Sequence, residues 1–244
     1  MNSLLNQIGR KKELAVLIDP DNHDLKSVQK FSAVIQEHQV DYILLGGSLV
    51  SSPMDDFIES IKEITNIPVI LFPGSLLQLS SKADGILLLS LISGRNPDYL
   101  IGNQVVAAPV LKKMKLEIIP TGYILVQNGY MSSAEYMSNT KPIPKNKPEL
   151  ATATAIAGEM LGQKLIYLEG GSGATRPISS QFIVNIKSNI SIPLIVGGGI
   201  KKPEQISELY QSGADLIVIG NLLEKHPAKL KELIHIRNIF NNQS

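Results

Sequence analysis

Three short glycine-rich segments carry the clearest chemical signal in the sequence, because each follows an apolar, β-branched run. Backbone amides of glycines can approach a phosphate closely, since no Cβ stands in the way. A phosphate needs several such donors, ideally at a helix N-terminus. We therefore expect one phosphate site, although ordinary turn formation also favours glycine in such loops. Its residues are Gly170, Gly171, Ser172 and Gly173, then Gly198 and Gly199, and finally Gly220 and Asn221.

Tyr167 and Glu169 lie two positions apart at the end of the apolar run that precedes the first glycine segment. In a strand this spacing points both side chains to the same side. A carboxylate close to a phosphate would repel it, so we expect Glu169 to accept hydrogen bonds from hydroxyl groups on the rest of the ligand. A polyol phosphate fits this pair. The alternative is a structural Glu paired with a lysine on another strand.

Asp19 and Asp21 follow the first apolar run, and Ser48 follows the second. Hard oxygen ligands at strand ends suit Mg²⁺, which takes one or two carboxylates, keeps waters and bridges to substrate phosphates. The same sequence, DPDN, also suits a turn or a helix start. Metal binding at Asp19 and Ser48 and simple capping by Asp19 are both open from the spacing alone.

A glycine-built anion site and a metal-assisted anion site would together suit a transfer between two phosphorylated molecules. The sequence offers no other route, because it contains no cysteine, no Walker loop and no recognisable Ser-His-Asp set.

Eight short apolar runs must position these residues. Most runs are continuous, as is typical of parallel strands buried on both faces. Alternation of such strands with helices predicts a (β/α)8 TIM barrel, with an open doubly wound sheet as the alternative. Glycine loops after the last two runs favour the barrel. The runs are residues 14–19, 41–47, 68–73, 84–90, 117–126, 164–170, 192–199 and 214–221.

Apolar residues at i, i+3 and i+4 predict helices between most of the runs. We expect the helix at 96–114 to break at Pro109, and a helix over 224–240 to close the chain. The stronger patterns are residues 25–38, 54–64, 148–162, 179–189 and 202–213.

Two connections depart from the regular rhythm. About ten residues separate the third and fourth runs, which is short for a crossover helix, so we expect the third helix to be reduced or replaced by extended chain. Residues 127–147 are long and polar. They predict either a mobile surface loop or a lid whose Lys141, Lys145 and Lys147 approach an anionic substrate.

Length, composition and charge limit the kinds of protein that this chain can be. The 244 residues are 43% apolar and 18% charged, which is ordinary for a globular domain, and we expect one domain over residues 1–244. A net charge of +1 gives no overall field that would attract nucleic acid or an anionic membrane. The four histidines form no metal-spaced pair. Because no signal peptide and no membrane-spanning run is evident, we expect a cytoplasmic protein without a transmembrane segment.

The segments LIDPD, LLGGS, YLEGGSGA, VGGGIKKPEQ and DLIVIGN, in this order and spacing, resemble the geranylgeranylglyceryl phosphate synthase family, including its bacterial heptaprenylglyceryl phosphate synthase relatives. The form of LIDPD and LEGGSG looks like the second of the family's two groups. The resemblance implies a modified (β/α)8 barrel whose third helix is replaced by extended chain. It also implies a prenyltransferase that joins the C3 hydroxyl of sn-glycerol 1-phosphate to a polyprenyl diphosphate, with Mg²⁺ as cofactor.

Carried over by motif, Asp19 and Ser48 would be the Mg²⁺ ligands, and Glu169 would orient the acceptor hydroxyl and take its proton. The glycerol phosphate contacts implied are Tyr167, Leu168, Glu169, Gly170, Gly171, Ser172, Gly173, Gly198, Gly199, Gly220 and Asn221. This chain has Leu17 and Asn22-His23 where some relatives have a lysine near the metal aspartate. Cationic help to a phosphate from the first strand is therefore not expected.

The resemblance also implies an apolar groove for the prenyl tail, and the gap at the third helix offers one. Candidate wall residues, each of which ordinary core packing would also explain, are Leu76, Leu77, Leu91, Ile92, Tyr99 and Val105. We expect a homo-oligomer, for which an apolar surface on the 96–114 helix could serve. Peripheral membrane contact fits a lipid product, although the sequence shows no basic amphipathic anchor.

Two other functions fit a phosphate-binding barrel. A phosphosugar isomerase or aldolase would need a catalytic lysine or acid pairs at strand ends, whereas Lys164 begins its strand and would lie at the opposite face. A non-catalytic binder of a phosphorylated ligand would not need Mg²⁺.

Overall fold

Eight parallel strands form a closed barrel in a computed structural model that describes residues 3–242. Each strand pairs with its neighbours in chain order, and β1 closes the barrel on β8. This confirms the (β/α)8 barrel over the open sheet. The strands are β1 (Glu13–Ile18), β2 (Tyr42–Leu45), β3 (Val69–Leu71), β4 (Gly85–Ser90), β5 (Glu117–Leu125), β6 (Leu165–Glu169), β7 (Leu194–Gly197) and β8 (Leu216–Ile219).

The strands are apolar throughout because both of their faces are buried. Side chains alternate between an inner cluster that fills the barrel and an outer cluster beneath the helices. In β6, Tyr167 belongs to the inner cluster, whereas Ile166 and Leu168 belong to the outer one. The inner cluster thus forms a packed floor below the residues at the strand ends.

Nine α-helices surround the barrel within the described residues, and the five stronger helical patterns are all confirmed. Local capping explains several boundaries; for example, Asp24 precedes α1 and its side chain accepts a 2.7 Å hydrogen bond from Ser27 N. The helices are α1 (Leu25–Glu37), α2 (Met54–Lys62), α3 (Asn103–Leu111), α4 (Ser133–Ser138), α5 (Pro148–Met160), α6 (Ser180–Lys187), α7 (Glu204–Gln211), α8 (Asn221–Lys225) and α9 (Leu230–Asn242).

The connection between β3 and β4 contains only a 3₁₀ turn, Leu76–Gln78, as the short spacing predicts. The buried Gln78 side chain fixes this segment to the end of β2. Its Nε2 donates to Gly47 O at 2.8 Å, and its Oε1 accepts from Gly47 N at 3.2 Å and Gly74 N at 3.3 Å. The outer layer of helices is therefore open beside β4.

Two helix predictions were wrong in detail. Pro109 lies inside α3 rather than ending it, and a π-helical turn, Asp98–Gly102, leads into the helix. Proline leaves the Val105 carbonyl without its usual donor, but Val105 is exposed, so water can serve instead. The predicted helix over 224–240 is interrupted by His226 and a 3₁₀ turn, Pro227–Lys229, because Pro227 cannot continue the preceding α8.

The N-terminal segment closes the lower end of the barrel. Leu4 and Ile8 are buried in the inner cluster. Glu117, at the start of β5, accepts hydrogen bonds from Leu4 N at 2.6 Å and Leu5 N at 2.9 Å. The upper end, where the strands finish, is the open end. Within residues 3–242, no helix is long and apolar enough to cross a membrane.

Candidate active site

Glu169 is the last residue of β6, and its carboxylate lies buried at the upper mouth of the barrel. Its Oε1 accepts a hydrogen bond of 2.6 Å from Gly171 N. Burial raises the pKa of Glu169 to about 7, against the opposing effect of the Gly171 hydrogen bond. A carboxyl group with this pKa can exchange a proton near neutral pH.

Tyr167 points to the same side as Glu169, as its spacing predicts. Its ring stacks on Phe72 at 5.1 Å and packs at a tilt against Tyr123 at 5.3 Å. Burial, and then the Glu169 carboxylate, raise the pKa of Tyr167 well above its usual value, so the hydroxyl keeps its proton. That buried hydroxyl lies near the Glu169 carboxylate, yet it forms no hydrogen bond of good geometry within residues 3–242. A buried donor with so weak a partner at a barrel mouth is suited to a ligand oxygen.

Two glycines at the end of β7, Gly197 and Gly198, make room for this pair. A Cβ on Gly197 would collide with the Tyr167 hydroxyl and lie 3.0 Å from Glu169 Oε2. A Cβ on Gly198 would collide with Glu169 Oε1 and lie 2.9 Å from Gly170 N. Gly197 was not among the predicted site residues. The run of three glycines from 197 to 199 could have identified it, since its first member is also the last residue of the strand.

The glycine segments converge at the ends of β6, β7 and β8, as predicted. Gly198 and Gly199 have positive φ angles of 86° and 73°. The amides of Ser172, Gly173, Gly198 and Gly199 donate no hydrogen bond to any residue between 3 and 242. Gly220 and Asn221 begin α8 beside them, which adds the N-terminal amides of that helix. This group of free amides is a suitable cradle for one phosphate.

Leu168 is the one predicted contact residue whose side chain does not reach the mouth. It lies fully buried in the outer cluster. Because side chains alternate along a strand, Leu168 must point away from the barrel interior when Tyr167 and Glu169 point into it. A contact between Leu168 and a ligand would therefore have to come from its backbone.

Asp19 lies on the opposite side of the mouth, directly after β1. Its Oδ1 accepts a hydrogen bond of 3.1 Å from Asp21 N and so caps the following 3₁₀ turn. Its Oδ2 faces Gly47, where an added Cβ would lie 2.7 Å away. Burial raises the pKa of Asp19, an effect that a cation beside the carboxylate would offset. Oδ1 of Asp19 thus caps the turn, and Oδ2 is available to a ligand beside Gly47 and Ser48.

Asp21 has a structural role in the described chain. Its carboxylate accepts hydrogen bonds from Ser51 N at 2.9 Å and Ser52 N at 3.0 Å, which joins the loops after β1 and β2. Among residues 3–242 no group of three His, Cys, Asp or Glu side chains could hold a metal ion. A cation here would need further ligands from hydroxyls, waters or a bound phosphate, as is usual for Mg²⁺.

An apolar cleft runs from Gly47 and Ser48 to the outer side of β4, into the space left by the missing helix. The predicted wall residues Leu76, Leu91 and Tyr99 line it. Leu77 and Val105 instead face solvent, and Ile92 packs against the outer cluster. Sequence reasoning missed much of the wall, including Phe72, Leu79, Ile86, Leu88, Ala107, Leu111, Tyr123 and Met137.

The 127–147 segment folds over the end of β6. It contains α4, and an isolated bridge joins Val126 to Ile143. Asn128 Nδ2 donates to Arg176 O in the loop after β6, which ties the two loops together. Lys141, Lys145 and Lys147 are exposed, Lys147 lies 3.4 Å from Glu149, and none of the three lines the apolar cleft. The segment is therefore tied to the loop after β6, and the approach of its lysines to an anionic substrate stays a prediction.

Glycine-lined turns after the last three strands place this chain among the phosphate-binding (β/α)8 barrels. Within that class the chain belongs to the PcrB family, whose family model matches residues 6–237. It is 46% identical over 239 residues to the geranylgeranylglyceryl phosphate synthase of Spirosoma linguale, covering 96% of this chain and 95% of that protein. It is 42% identical over 220 residues to the synthase of the same name from Pyrococcus furiosus, covering 89% and 87%.

A solved structure shows the same architecture. The crystal structure of (S)-3-O-geranylgeranylglyceryl phosphate synthase from Thermoplasma acidophilum, in complex with substrate sn-glycerol-1-phosphate, superposes with a TM-score of 0.91. The two chains are 31% identical, and the match covers 100% of each. The resemblance read from the motifs is thus confirmed at the level of family and fold.

Proposed function

We propose that the protein is a prenyltransferase that joins the C3 hydroxyl of sn-glycerol 1-phosphate to a polyprenyl diphosphate, with geranylgeranyl diphosphate as the expected donor. The names of its relatives and the ligand of the Thermoplasma acidophilum structure support this assignment. The observation that carries it in this chain is the buried Tyr167–Glu169 pair, packed against a cluster of free glycine amides. This arrangement suits a small polyol phosphate, with hydroxyls on one side and phosphate on the other.

The acceptor would place its phosphate on the amides of the loops after β6, β7 and β8. Tyr167 would then donate a hydrogen bond to the glycerol, and Glu169 would accept one from the C3 hydroxyl. As the new ether bond forms, the hydroxyl proton passes to Glu169. Holding the hydroxyl against the allylic carbon supplies much of the rate enhancement, because reactants fixed in contact react far faster than free ones.

The donor would place its diphosphate near Asp19 and its prenyl chain in the apolar cleft. Asp19 Oδ2 and the Ser48 hydroxyl are the groups that would hold Mg²⁺, and the raised pKa of Asp19 fits a carboxylate that functions beside a cation. Bound Mg²⁺ supplies neutralisation of negative charge on the diphosphate leaving group. The allylic C–O bond breaks towards that group, and diphosphate is released.

We further propose a cytoplasmic homo-oligomer with peripheral membrane contact, since the product is a lipid. A phosphosugar aldolase gains no support from the fold, because Lys164 precedes β6 at the closed end of the barrel. A non-catalytic phosphate binder would not require the second, metal-suited site at Asp19.

Product formation tests the proposal directly. Geranylgeranyl diphosphate is incubated with sn-glycerol 1-phosphate or with its sn-3 enantiomer, each with Mg²⁺ and with EDTA. We expect ether product from the sn-1 isomer alone, and only with metal. The Asp19→Asn variant keeps the turn cap and should need at least about tenfold more Mg²⁺. Absence of product with every prenyl length would refute the synthase assignment.

A further inference from the structure

The helix α3 has two apolar faces. One face lines the cleft through Gln104, Ala107 and Leu111. The other face is directed to solvent, where Val106 is 64% exposed and Val110 is 47% exposed. A surface helix normally presents charged or polar residues to water. The outer apolar face consists of Ile101, Val105, Val106, Pro109 and Val110. This face could serve a homo-oligomer, as the sequence suggests, but the charge beside it favours a different occupant.

Positive charge lies at the end of this outer face. Lys112, Lys113 and Lys115 are exposed, and none pairs with an acidic residue between 3 and 242. The sequence contains no Asp or Glu between Asp98 and Glu117. The chain as a whole is nearly neutral, with a net charge of +1, so this is a local concentration of positive charge.

A second cavity, distinct from the prenyl cleft, lies where the apolar face meets the lysines. It is lined by Ser81, Pro109, Val110, Lys113, Met114 and Lys115. Apolar walls beside two ammonium groups and a hydroxyl suit the boundary between a phosphate headgroup and an acyl chain. Leu77, whose neighbour Leu76 lines the prenyl cleft, is 87% exposed to solvent.

We propose that the outer face of α3 is a docking surface for an anionic lipid bilayer. The inference rests on the proposed function in one respect, namely that the cleft lined by the inner face of α3 receives a lipid. An unpaired basic cluster matches the charge of anionic headgroups, and the apolar side chains match the region beneath them. Docking here places the opening beside α3 against the membrane, so that a prenyl chain can pass between the two without entering water.

Sedimentation of the full chain with vesicles tests this surface. Vesicles of phosphatidylcholine alone are compared with vesicles that contain phosphatidylglycerol. We expect the protein to bind only the anionic vesicles and to be released at high salt. Lys112→Glu/Lys113→Glu should weaken binding at least tenfold, and Val106→Ser/Val110→Ser at least fivefold. Matched controls on other helices, Lys26→Glu/Lys30→Glu on α1 and Leu161→Ser after α5, should change it less than twofold.

Three results would overturn the proposal. The first is failure of the unaltered protein to sediment with anionic vesicles, and the second is an equal loss of binding in the control variants. The third is a shift of Val106→Ser/Val110→Ser to a smaller assembly in size-exclusion chromatography, which would assign the face to a second copy of this chain. Turnover in detergent micelles, which all variants should retain, reports the proposed function separately. Loss of turnover in every protein would therefore implicate the function and not the surface.

Discussion

Burial of Glu169 directly affects the proton transfer that we propose for this residue. Burial raises the pKa of its carboxyl group to about 7, so the free protein carries it partly protonated near neutral pH. Only the ionised form can take a proton from the acceptor hydroxyl. We therefore expect kcat/KM to rise with pH between about 6 and 8, with a midpoint near 7.

The Glu169→Gln variant should lose this pH dependence and about 100-fold or more in kcat/KM. Glu149→Gln, which alters an exposed carboxylate on α5, serves as the control and should behave as the unaltered protein does. Steady-state kinetics across the pH range provide the measurement. Near-normal turnover of Glu169→Gln would exclude the base role.

A comparison of Gly198 with Gly162 distinguishes the effect of backbone strain from that of steric collision. The Gly198 φ angle of 86° disfavours any side chain, and a Cβ would also strike the Glu169 carboxylate. Gly162, at the end of α5, has a φ of 93° with no atom within 4 Å of an added Cβ. Alanine at Gly162 should cost about 1–2 kcal/mol in unfolding free energy, and alanine at Gly198 should cost more because of the added collision. Only Gly198→Ala should also weaken binding of sn-glycerol 1-phosphate, by at least about tenfold in calorimetry. Equal affinity in both variants would contradict the site geometry.

At the residue scale, side-chain direction along a strand could be predicted from the sequence, but contacts between different strands could not. The shared direction of Tyr167 and Glu169 followed from the two-residue repeat of a strand, and the same repeat directs the Leu168 side chain to the outer cluster. Phe72 and Tyr123 were not found, because their contact with Tyr167 depends on the order of strands around the closed barrel. Nothing local in the sequence reports such a contact.

At the scale of elements, Gln78 holds the β3–β4 connection against the barrel, whereas a packed helix does so in other connections. Two of the three hydrogen bonds of the Gln78 side chain join the β3–β4 segment to Gly47 after β2, and the third pairs Gly74 N within the segment. Gln78→Ala would leave buried backbone groups at Gly47 and Gly74 unpaired. We expect a loss of about 2 kcal/mol and a Tm lower by about 4–8 °C.

Leu77→Ala, at the exposed neighbouring position, should change stability by less than about 0.5 kcal/mol. Because Gly47 lies beside Asp19, Gln78→Ala should also raise the Mg²⁺ concentration needed for activity. Thermal unfolding and a metal titration measure the two effects. Equal thermal shifts in both variants would mean that the segment is held by packing instead.

Most elements could be predicted because their signals are local. Eight apolar runs specified the strands, and the length of one connection specified the missing helix. The errors arose where context overrides a local rule: α3 tolerates Pro109 because the affected carbonyl can face water, and α8 stops because Pro227 follows. The α4 helix was not predicted within residues 127–147, although Ser132 caps it through Glu135 N at 3.1 Å.

For the whole molecule, Glu13 links stability to pH at the closed end of the barrel. Its carboxylate accepts hydrogen bonds from Gly9 N at 2.8 Å and from the Tyr42 hydroxyl at 2.9 Å. Burial raises its pKa to about 7 in the folded protein. A raised folded-state pKa contributes stability that is full below the unfolded value of about 4.3 and is lost as pH rises through about 7.

The free energy of unfolding should therefore fall by about 2–3 kcal/mol per such group between acidic and mildly basic pH. Glu169 acts with the same sign. Glu13→Gln should flatten this dependence and exceed the unaltered protein in stability at pH values above about 8. Urea unfolding at a series of pH values measures the slope. An unchanged slope in Glu13→Gln would assign the effect to other groups.

Where the third helix is missing, an apolar cleft borders the outer side of β4, and Ile86 and Leu88 line it. In an ordinary barrel a helix would fill this space. We expect the prenyl chain of the donor to fill it here, which would link occupancy of the cleft to the stability of the fold. A series of unreactive prenyl diphosphate analogues should raise the melting temperature further with each added isoprene unit until the cleft is full. The length at which this increase stops would measure the cleft without a single turnover.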